Sequence, residues 1–394
     1  MIEMLAGREG LYKLRDQFVA AGFDIRIVGG AVRSYLLHEV PADFDLCTDA
    51  TPNEQIQIYS DNGYRWIPTG LQHGTVTVVV PGEDRYEITT LRSETDHDGR
   101  HATVQFERDW SLDQARRDLT INQIAMDFDG KIHDPFGGVA DLAERRVRFV
   151  GDPEERMRED YLRILRWLRF HGRVAGDCPL DPDAAEAAQR AAQGLEGISK
   201  ERVWMEMSKI VCGPAAGMLL TAIQDLGIGP AIQLPAGDPV ALNRAIHQEL
   251  KPASRLAAYL GYDLAKVQAL ATTWKWSTDD ATAALFLCQT LPAPHYDYMR
   301  NSQFHPGLRA QIVELAKAQD RSVTAAFLEG YAYPSCPVDG NDLIAAGIKP
   351  GPIMGTLLDQ VRQRWYDGRC PTDREIVLAI MHDVLAEHRE AAAG

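Results

Sequence analysis

Apolar and polar positions change rhythm once along this chain. Up to about residue 135 the apolar residues come in short blocks. "FDIRIVGG" reads as a buried strand, "AVRSYLLHEV" as a helix, "DFDLCT" and "TVTVVV" as strands, and "RYEITTLR" as another. From about Asp152 onward apolar positions recur at helical spacing, as in "PEERMREDYLRILRWLRFHGRV" and "DAAEAAQRAAQGL", and no convincing strand pattern follows. Breaks at "GIGPAIQLPAGDP" and "YPSCPVDGND" subdivide the helical part near residues 226 to 240 and 331 to 341. A chain of 394 residues exceeds one ordinary core, so two to four domains are expected: a small mixed α/β unit, then helices.

Composition narrows the class. The balance of 45% apolar and 25% charged residues is that of a globular protein, and no apolar run approaches the roughly 20 residues a bilayer requires. "MIEMLAGREGLYKLRDQF" has the features of neither a signal nor a transit peptide, so a cytoplasmic location is expected. Six scattered cysteines without a CxxC indicate neither a zinc site nor a disulfide framework. A net charge of −15 argues against a large non-specific nucleic-acid footprint. Residues 200–394, however, carry 18 basic and 21 acidic side chains, so most of the excess lies earlier, and the later half is able to present a basic face.

Candidate chemistry starts at "VPADFDLCTDA". In a strand, residues two apart share a face, so Asp43 and Asp45 are neighbours while Phe44 and Leu46 turn to the core. Carboxylates this close repel unless a proton or cation intervenes, and a hard cation, Mg2+ above all, is the usual remedy. A solvent-facing strand kept soluble by its aspartates is the plainer alternative. Context favours the metal. "IRIVGGAVR" runs from a strand through Gly29 and Gly30 into a helix whose free N–H groups suit phosphate, with Arg33 one turn in. No GK[ST] follows, so this is not a Walker loop. Glu87, on a later strand, is either a third carboxylate for the same metal or a surface residue.

In "REDYLRILRWLRF", Asp160, Arg163, Arg166 and Arg169 follow one another at three-residue steps among apolar side chains, an arrangement expected to face something anionic. Cytosine and adenine both present an exocyclic amino donor beside a ring-nitrogen acceptor; guanine and uracil reverse that order. A carboxylate beside a guanidinium, Asp160 with Arg163, therefore matches C and A.

These motifs, with "TDHDGRHATVQF", "ARRDLTINQIAMDFDG" and "DPFGGVADL" in order, resemble the class II CCA-adding tRNA nucleotidyltransferases of the bacterial poly(A) polymerase and CCA enzyme superfamily. The resemblance spans residues 25 to about 210; "GISKERVWMEMSKI" and "GNDLIAAGIKPGPIMG" extend it. It implies an α+β fold: a small mixed-sheet nucleotidyltransferase head (1–138), then all-α neck (139–225), body (226–330) and tail (331–394). It also implies that Asp43 and Asp45 bind Mg2+, that Gly29, Gly30 and Arg33 hold the triphosphate, and that Arg117 and Asp118 contact phosphate and ribose. By the same resemblance Asp160 and Arg163 read the base, Arg166 and Arg169 complete the nucleotide pocket, and Asp98 to Ala102, "DGRHA", form the loop used in changing from C to A. Glu87 occupies the place of a third acidic residue. One departure is Ser34, where the family's GGxVRD motif has Asp, which touches the pairing of Arg33 and not the metal site.

The implied reaction is in-line attack of a tRNA 3′-hydroxyl on the α-phosphate of CTP or ATP, releasing pyrophosphate, without a covalent enzyme intermediate. A poly(A) polymerase and a partial CC- or A-adding enzyme are the nearest alternatives. A phosphohydrolase using His382, Asp383 and His388 of "MHDVLAEH" is a remote one, and a catalytically dead RNA-binding module a third. The tRNA acceptor arm is expected along the helical domains, with Arg300, Arg309, Lys349, Arg362 and Arg364 as single candidates for phosphate contact.

Overall fold

The short apolar blocks build a seven-stranded mixed sheet. In the computed structural model, which describes residues 3–83, 85–95, 103–291 and 297–393, the strands are β1 (Ile25–Val28), β2 (Asp45–Thr48), β3 (Arg65–Gly70), β4 (Thr75–Val79), β5 (Arg85–Thr90), β8 (Ala125–Met126) and β9 (Ile132–His133). Between them in the chain, β6 (Arg92–Thr95) and β7 (Thr103–Phe106) pair as a separate ribbon. Sheet order is β3-β4-β5-β2-β1-β8-β9, and only β2 and β5 run parallel. That parallel pair requires a crossover. Helix α3 (Pro52–Asp61) and the β3–β4 hairpin provide it, and α3 starts on a capping box formed by Thr51 and Glu54.

Burial alternates along β5, with Tyr86, Ile88 and Thr90 inward and Arg85 and Glu87 outward. Helix α1 (Glu9–Ala20) buries Leu11, Leu14 and Phe18, and Phe18 meets Tyr59 of α3 edge to face at 5.9 Å. Helix α2 (Gly30–Leu36) leaves β1 through Gly29, whose φ of +63° is the left-handed region that glycine enters without strain. Sequence pattern overextended two elements. The helix expected over "AVRSYLLHEV" stops at Leu36, and β2 begins only at Asp45, so Asp43 precedes the strand. The edge strand β3 was not expected; Pro68 and a register shift between Ile67 and Gly70 break its alternation.

After α4 (Trp110–Ala115) and α5 (Gly138–Ala143) the described residues contain no further strand. Helices α6 (Pro153–Glu159), α7 (Leu162–Val174), α8 (Pro182–Ala191) and α9 (Lys200–Ile210) follow, with α6 packing on α8 and α7 on α9. Trp167 of α7 is fully buried, its indole N–H donating to the Val147 carbonyl at 3.0 Å.

The continuous helix suggested by the sequence is in fact two, because Asp160 is extended (φ −152°, ψ 104°). Its Oδ1 accepts from the Leu162 N–H at 3.1 Å and so starts α7 as a cap. Tyr161 fills the bend, and a Cβ on Gly194 would collide with its ring.

The chain divides into two compact units, Met1–Pro239 with Thr272–Lys275, and Val240–Ala271 with Trp276–Gly394. The second has one core around Leu287, Ile312, Leu315 and Leu328 and another around Leu343, Leu357, Val361, Trp365 and Met381. No helix among the described residues is long and apolar enough to cross a membrane.

Gly194→Ala is expected to destabilise the first unit by about 1–3 kcal/mol, since the Tyr161 ring must shift to admit the methyl. A lower urea midpoint, followed by intrinsic fluorescence, checks it.

Candidate active site

At the carboxyl end of β1 and the amino end of the antiparallel β2 the sheet opens into a cavity of about 650 Å³. Gly29 and Gly30 form one lip, Asp45 and Cys47 the floor, and residues of α7 and α9 the opposite wall. Seven arginines line it against four carboxylates, so it carries an excess of positive charge suited to a polyanion.

Each cation is held by a neighbour. Arg33 is 5% exposed, donates from Nη1 to the Asn122 side-chain oxygen, and lies 4.7 Å from the Phe170 ring. Burial pulls its guanidinium down to about 10, and the nearby charges of Arg173 and Arg169 add to the effect against Asp118 and Glu39. Arg117 pairs with the buried Asp113 at 3.1 Å, and Arg116 pairs with the same carboxylate at 2.7 Å. Arg117 Nη2 also reaches the Cys47 sulfur at 3.4 Å. Arg169 pairs with the buried Glu206 of α9 at 3.1 Å. The Phe170 ring has the guanidinium groups of Arg33, Arg166 and Arg169 at 4.7, 5.9 and 4.4 Å, so one aromatic ring serves three cations.

Asp118 is a fully satisfied carboxylate. Oδ1 accepts from Leu119 N at 2.9 Å and Asn122 Nδ2 at 3.1 Å, and Oδ2 from both Nε and Nη2 of Arg166 at 2.7 Å. All four acceptor positions are filled, which leaves none for the ribose contact expected of it. Burial alone would raise this carboxyl, but Arg166 and Asn122 outweigh it and hold it below the usual range.

The structure separates two expected pairings. Asp160 stands in the α6–α7 break, not on the helix stripe, and its Oδ2 accepts from Arg202 Nη2 of α9 at 2.7 Å. Arg163 turns instead to Glu159 and to the Arg156 carbonyl at 3.1 Å. Asp160, Arg163, Arg166 and Arg202 nevertheless line the same cavity.

Asp43 and Asp45 do not share a strand, yet both are exposed and line a second cavity of about 1010 Å³ together with Glu87. The parallel register places Glu87 directly beside Asp45. Asp45 also lines the arginine cavity, so it stands between the two. Its carboxyl is raised by burial and by Asp43, with Arg117 opposing.

Among the described residues no group of three or more His, Cys, Asp or Glu is close enough to hold a metal on its own. The donor set at Asp43 and Asp45 still fits a hard divalent cation. Such an ion is commonly bound by one or two carboxylates and completed by substrate phosphates and water. For the distant alternative, His382 and Asp383 are exposed on the helix Arg374–Ala393 with no such cluster around them.

Asp113, Asn122, Phe170, Arg202 and Glu206 were not singled out from sequence. Asp113 had a signal, because Arg116 and Arg117 follow at i+3 and i+4. Arg202 and Glu206 fall within "GISKERVWMEMSKI", but nothing in that segment points to partners 42 and 37 residues away. The "DGRHA" segment lies outside the described residues.

At Ser34 the hydroxyl lies 3.5 Å from Glu39 and 3.4 Å from Arg173. Glu39 pairs with Arg173 at 2.6 Å, so the carboxylate missing at position 34 has a counterpart five residues on. In the second unit, Arg309 donates to the Ser302 carbonyl and stacks 3.7 Å above Tyr333, Arg362 pairs with Asp359, Arg364 with Glu387, and Arg300 with Gln363, while Lys349 is exposed.

Known proteins match throughout. The Poly A polymerase head domain family matches residues 25–148, and the family described as "Probable RNA and SrmB- binding site of polymerase A" matches 179–234. The chain is 37% identical to the CCA tRNA nucleotidyltransferase 1, mitochondrial, of Danio rerio, over 95% of this chain and 90% of that one. It is 32% identical to the CCA-adding enzyme of Limosilactobacillus fermentum, over 93% and 94%. The crystal structure of the Bacillus stearothermophilus CCA-adding enzyme in complex with CTP superposes with a TM-score of 0.75 at 28% identity, covering 99% of this chain and all of that one. A nucleotidyltransferase fold of this kind implies use of a divalent metal.

The low-lying Asp118 carboxyl makes a pH prediction. Its contribution to stability is complete above the ordinary aspartate range near pH 4 and is lost as the pH falls through its lower folded value. Asp118→Asn should remove roughly 3 kcal/mol at neutral pH, by leaving Arg166 short of its anion, and should flatten the loss of stability below pH 4. Urea midpoints measured from pH 3 to 7 check both.

Proposed function

Because this chain belongs to the CCA-adding tRNA nucleotidyltransferase family, we propose that it adds CCA to the 3′ end of tRNA, drawing on CTP and ATP and releasing pyrophosphate, with no nucleic-acid template. The observation that carries this reading is the position of Asp45 between an arginine-lined cavity and one lined by Asp43 and Glu87. The nucleoside triphosphate occupies the first and the 3′-terminal hydroxyl approaches through the second, so attack on the α-phosphate takes place at Asp45.

Gly29 and Gly30 let the backbone close on the triphosphate, and Arg33 and Arg117 neutralise its charge. Arg166 and Arg169 extend that cradle towards the sugar; Asp118 acts by fixing Arg166. Asp160 accepts from the exocyclic amino group that cytosine and adenine share, and Arg163 donates to the adjacent ring nitrogen. Asp43 and Asp45 are the residues that hold Mg2+, with Glu87 beside them. When bound there, the metal makes the 3′-hydroxyl a better nucleophile and offsets charge on the departing pyrophosphate.

Residues 1–138 act as the head, 139–225 as the neck, 226–330 as the body and 331–394 as the tail, with the acceptor arm of tRNA along the helical parts. The place of work is the cytoplasm.

Incubation with tRNA ending before its CCA, offering CTP and ATP separately and together, tests the reaction. Two C residues from CTP alone and a completed CCA from the mixture are expected; an unlimited A tail would mark a poly(A) polymerase. Asp43→Ala should reduce extension to background, while Asp160→Ala and Arg163→Ala should retain extension and admit UTP or GTP. Extension by Asp43→Ala at the wild-type rate would remove the assignment.

A further inference from the structure

Arg202 falls within "GISKERVWMEMSKI" but was given no role from the sequence, and its guanidinium makes the ion pair nearest to the base-reading position. It sits three residues into α9, after the Ser199 cap whose hydroxyl accepts from its N–H at 3.4 Å. A cation in the first turn opposes the helix dipole, which favours anions at that end. The compensation in this fold is Asp160, at 2.7 Å. One turn further along α9, Glu206 pairs with Arg169, so two ion pairs of opposite polarity tie α9 to the α6–α7 corner and to α7.

The effect on Asp160 is geometric. Its backbone is extended and outside both helices, so neighbouring helical turns do not fix its side chain. Leu162 N holds Oδ1 and Arg202 Nη2 holds Oδ2. Each oxygen keeps one further acceptor site. The carboxylate is thereby fixed in one rotamer with its remaining lone pairs available to a donor in the cavity. Arg163 does not do this, being engaged by Glu159 and the Arg156 carbonyl.

We propose that Arg202 is a positioning residue for nucleotide selection: by holding Asp160 in one orientation from α9, it sets the acceptor that distinguishes the amino-bearing bases C and A from U and G. The proposal rests on the assignment of Asp160 as base reader. Loss of Arg202 leaves the metal-binding carboxylates and the phosphate cradle untouched, so it acts on discrimination and not on the chemical step.

The test is single-nucleotide incorporation into tRNA ending before its CCA, comparing kcat/KM for CTP and UTP, and for ATP and GTP at the final position, in wild type, Arg202→Gln, Arg202→Lys and Asp160→Ala. Arg202→Gln is expected to lose at least tenfold in the CTP-over-UTP ratio, chiefly through a higher KM for CTP, with kcat for CTP within about threefold of wild type. Arg202→Lys, which restores a cation without the planar fork, should recover part of the ratio.

A wild-type ratio in Arg202→Gln, while Asp160→Ala loses discrimination, overturns the role of Arg202 alone. An equal fall in kcat for every nucleotide with the ratio preserved marks a merely structural residue and also overturns it. Discrimination unchanged in Asp160→Ala overturns the base-reading assignment and the proposal with it.

Discussion

Seven guanidinium groups share one cavity, and the rest of the first unit is arranged so that they can coexist. Like charges packed this closely are unfavourable unless each has an anion, an acceptor or an aromatic face, and the protein supplies all three. Asp113 takes two of them, Asp118 and Asp160 one each, Asn122 accepts from Arg33, and the Phe170 ring lies near Arg33 and Arg166 as well as the neighbouring Arg169. Arg33 is held low chiefly by its burial, and the charges of Arg173 and Arg169 add to the effect. A bound polyphosphate supplies the missing negative charge.

The sheet contributes through register. The parallel pairing of β2 and β5 brings Glu87 beside Asp45 although 42 residues separate them in sequence, and α3 with the β3–β4 hairpin is the crossover that makes it possible. The Gly29 turn brings the start of α2 to the same edge. One side of the resulting cleft is fixed by backbone pairing and the other by ion pairs from α7 and α9, so the two walls obey different rules.

Much of this was legible beforehand. Period-two alternation announced β5 and helical spacing announced α7, because in both one buried face sets the pattern, whereas β4 buries Val76, Thr77 and Val78 in succession and was visible as a run of valines. The glycine turn, the paired aspartates and the arginine stripe were visible as residue types that are costly unless used. The failures share a cause. Asp160 was counted as helical because its spacing matched that of Arg163, Arg166 and Arg169, and only its own side-chain hydrogen bond to Leu162 N reveals that the ladder restarts there. Asp43 was placed in a strand whose first residue is Asp45. Arg202 and Glu206 were overlooked because a lone charge in a helix looks the same whether it faces solvent or a partner dozens of residues away.

The restart of the helix at Asp160 also separates two properties that proteins often entangle. The side chain at this corner contributes no apolar surface to a core, and its bonds reach one backbone N–H and one arginine. Exchanging it removes an acceptor at the start of α7 and the partner of Arg202, but takes no apolar surface from the surroundings of Trp167 and Leu165. With Asp160 as the proposed base reader, the determinant of substrate preference sits where an exchange costs one helix start and one ion pair but no buried apolar contact.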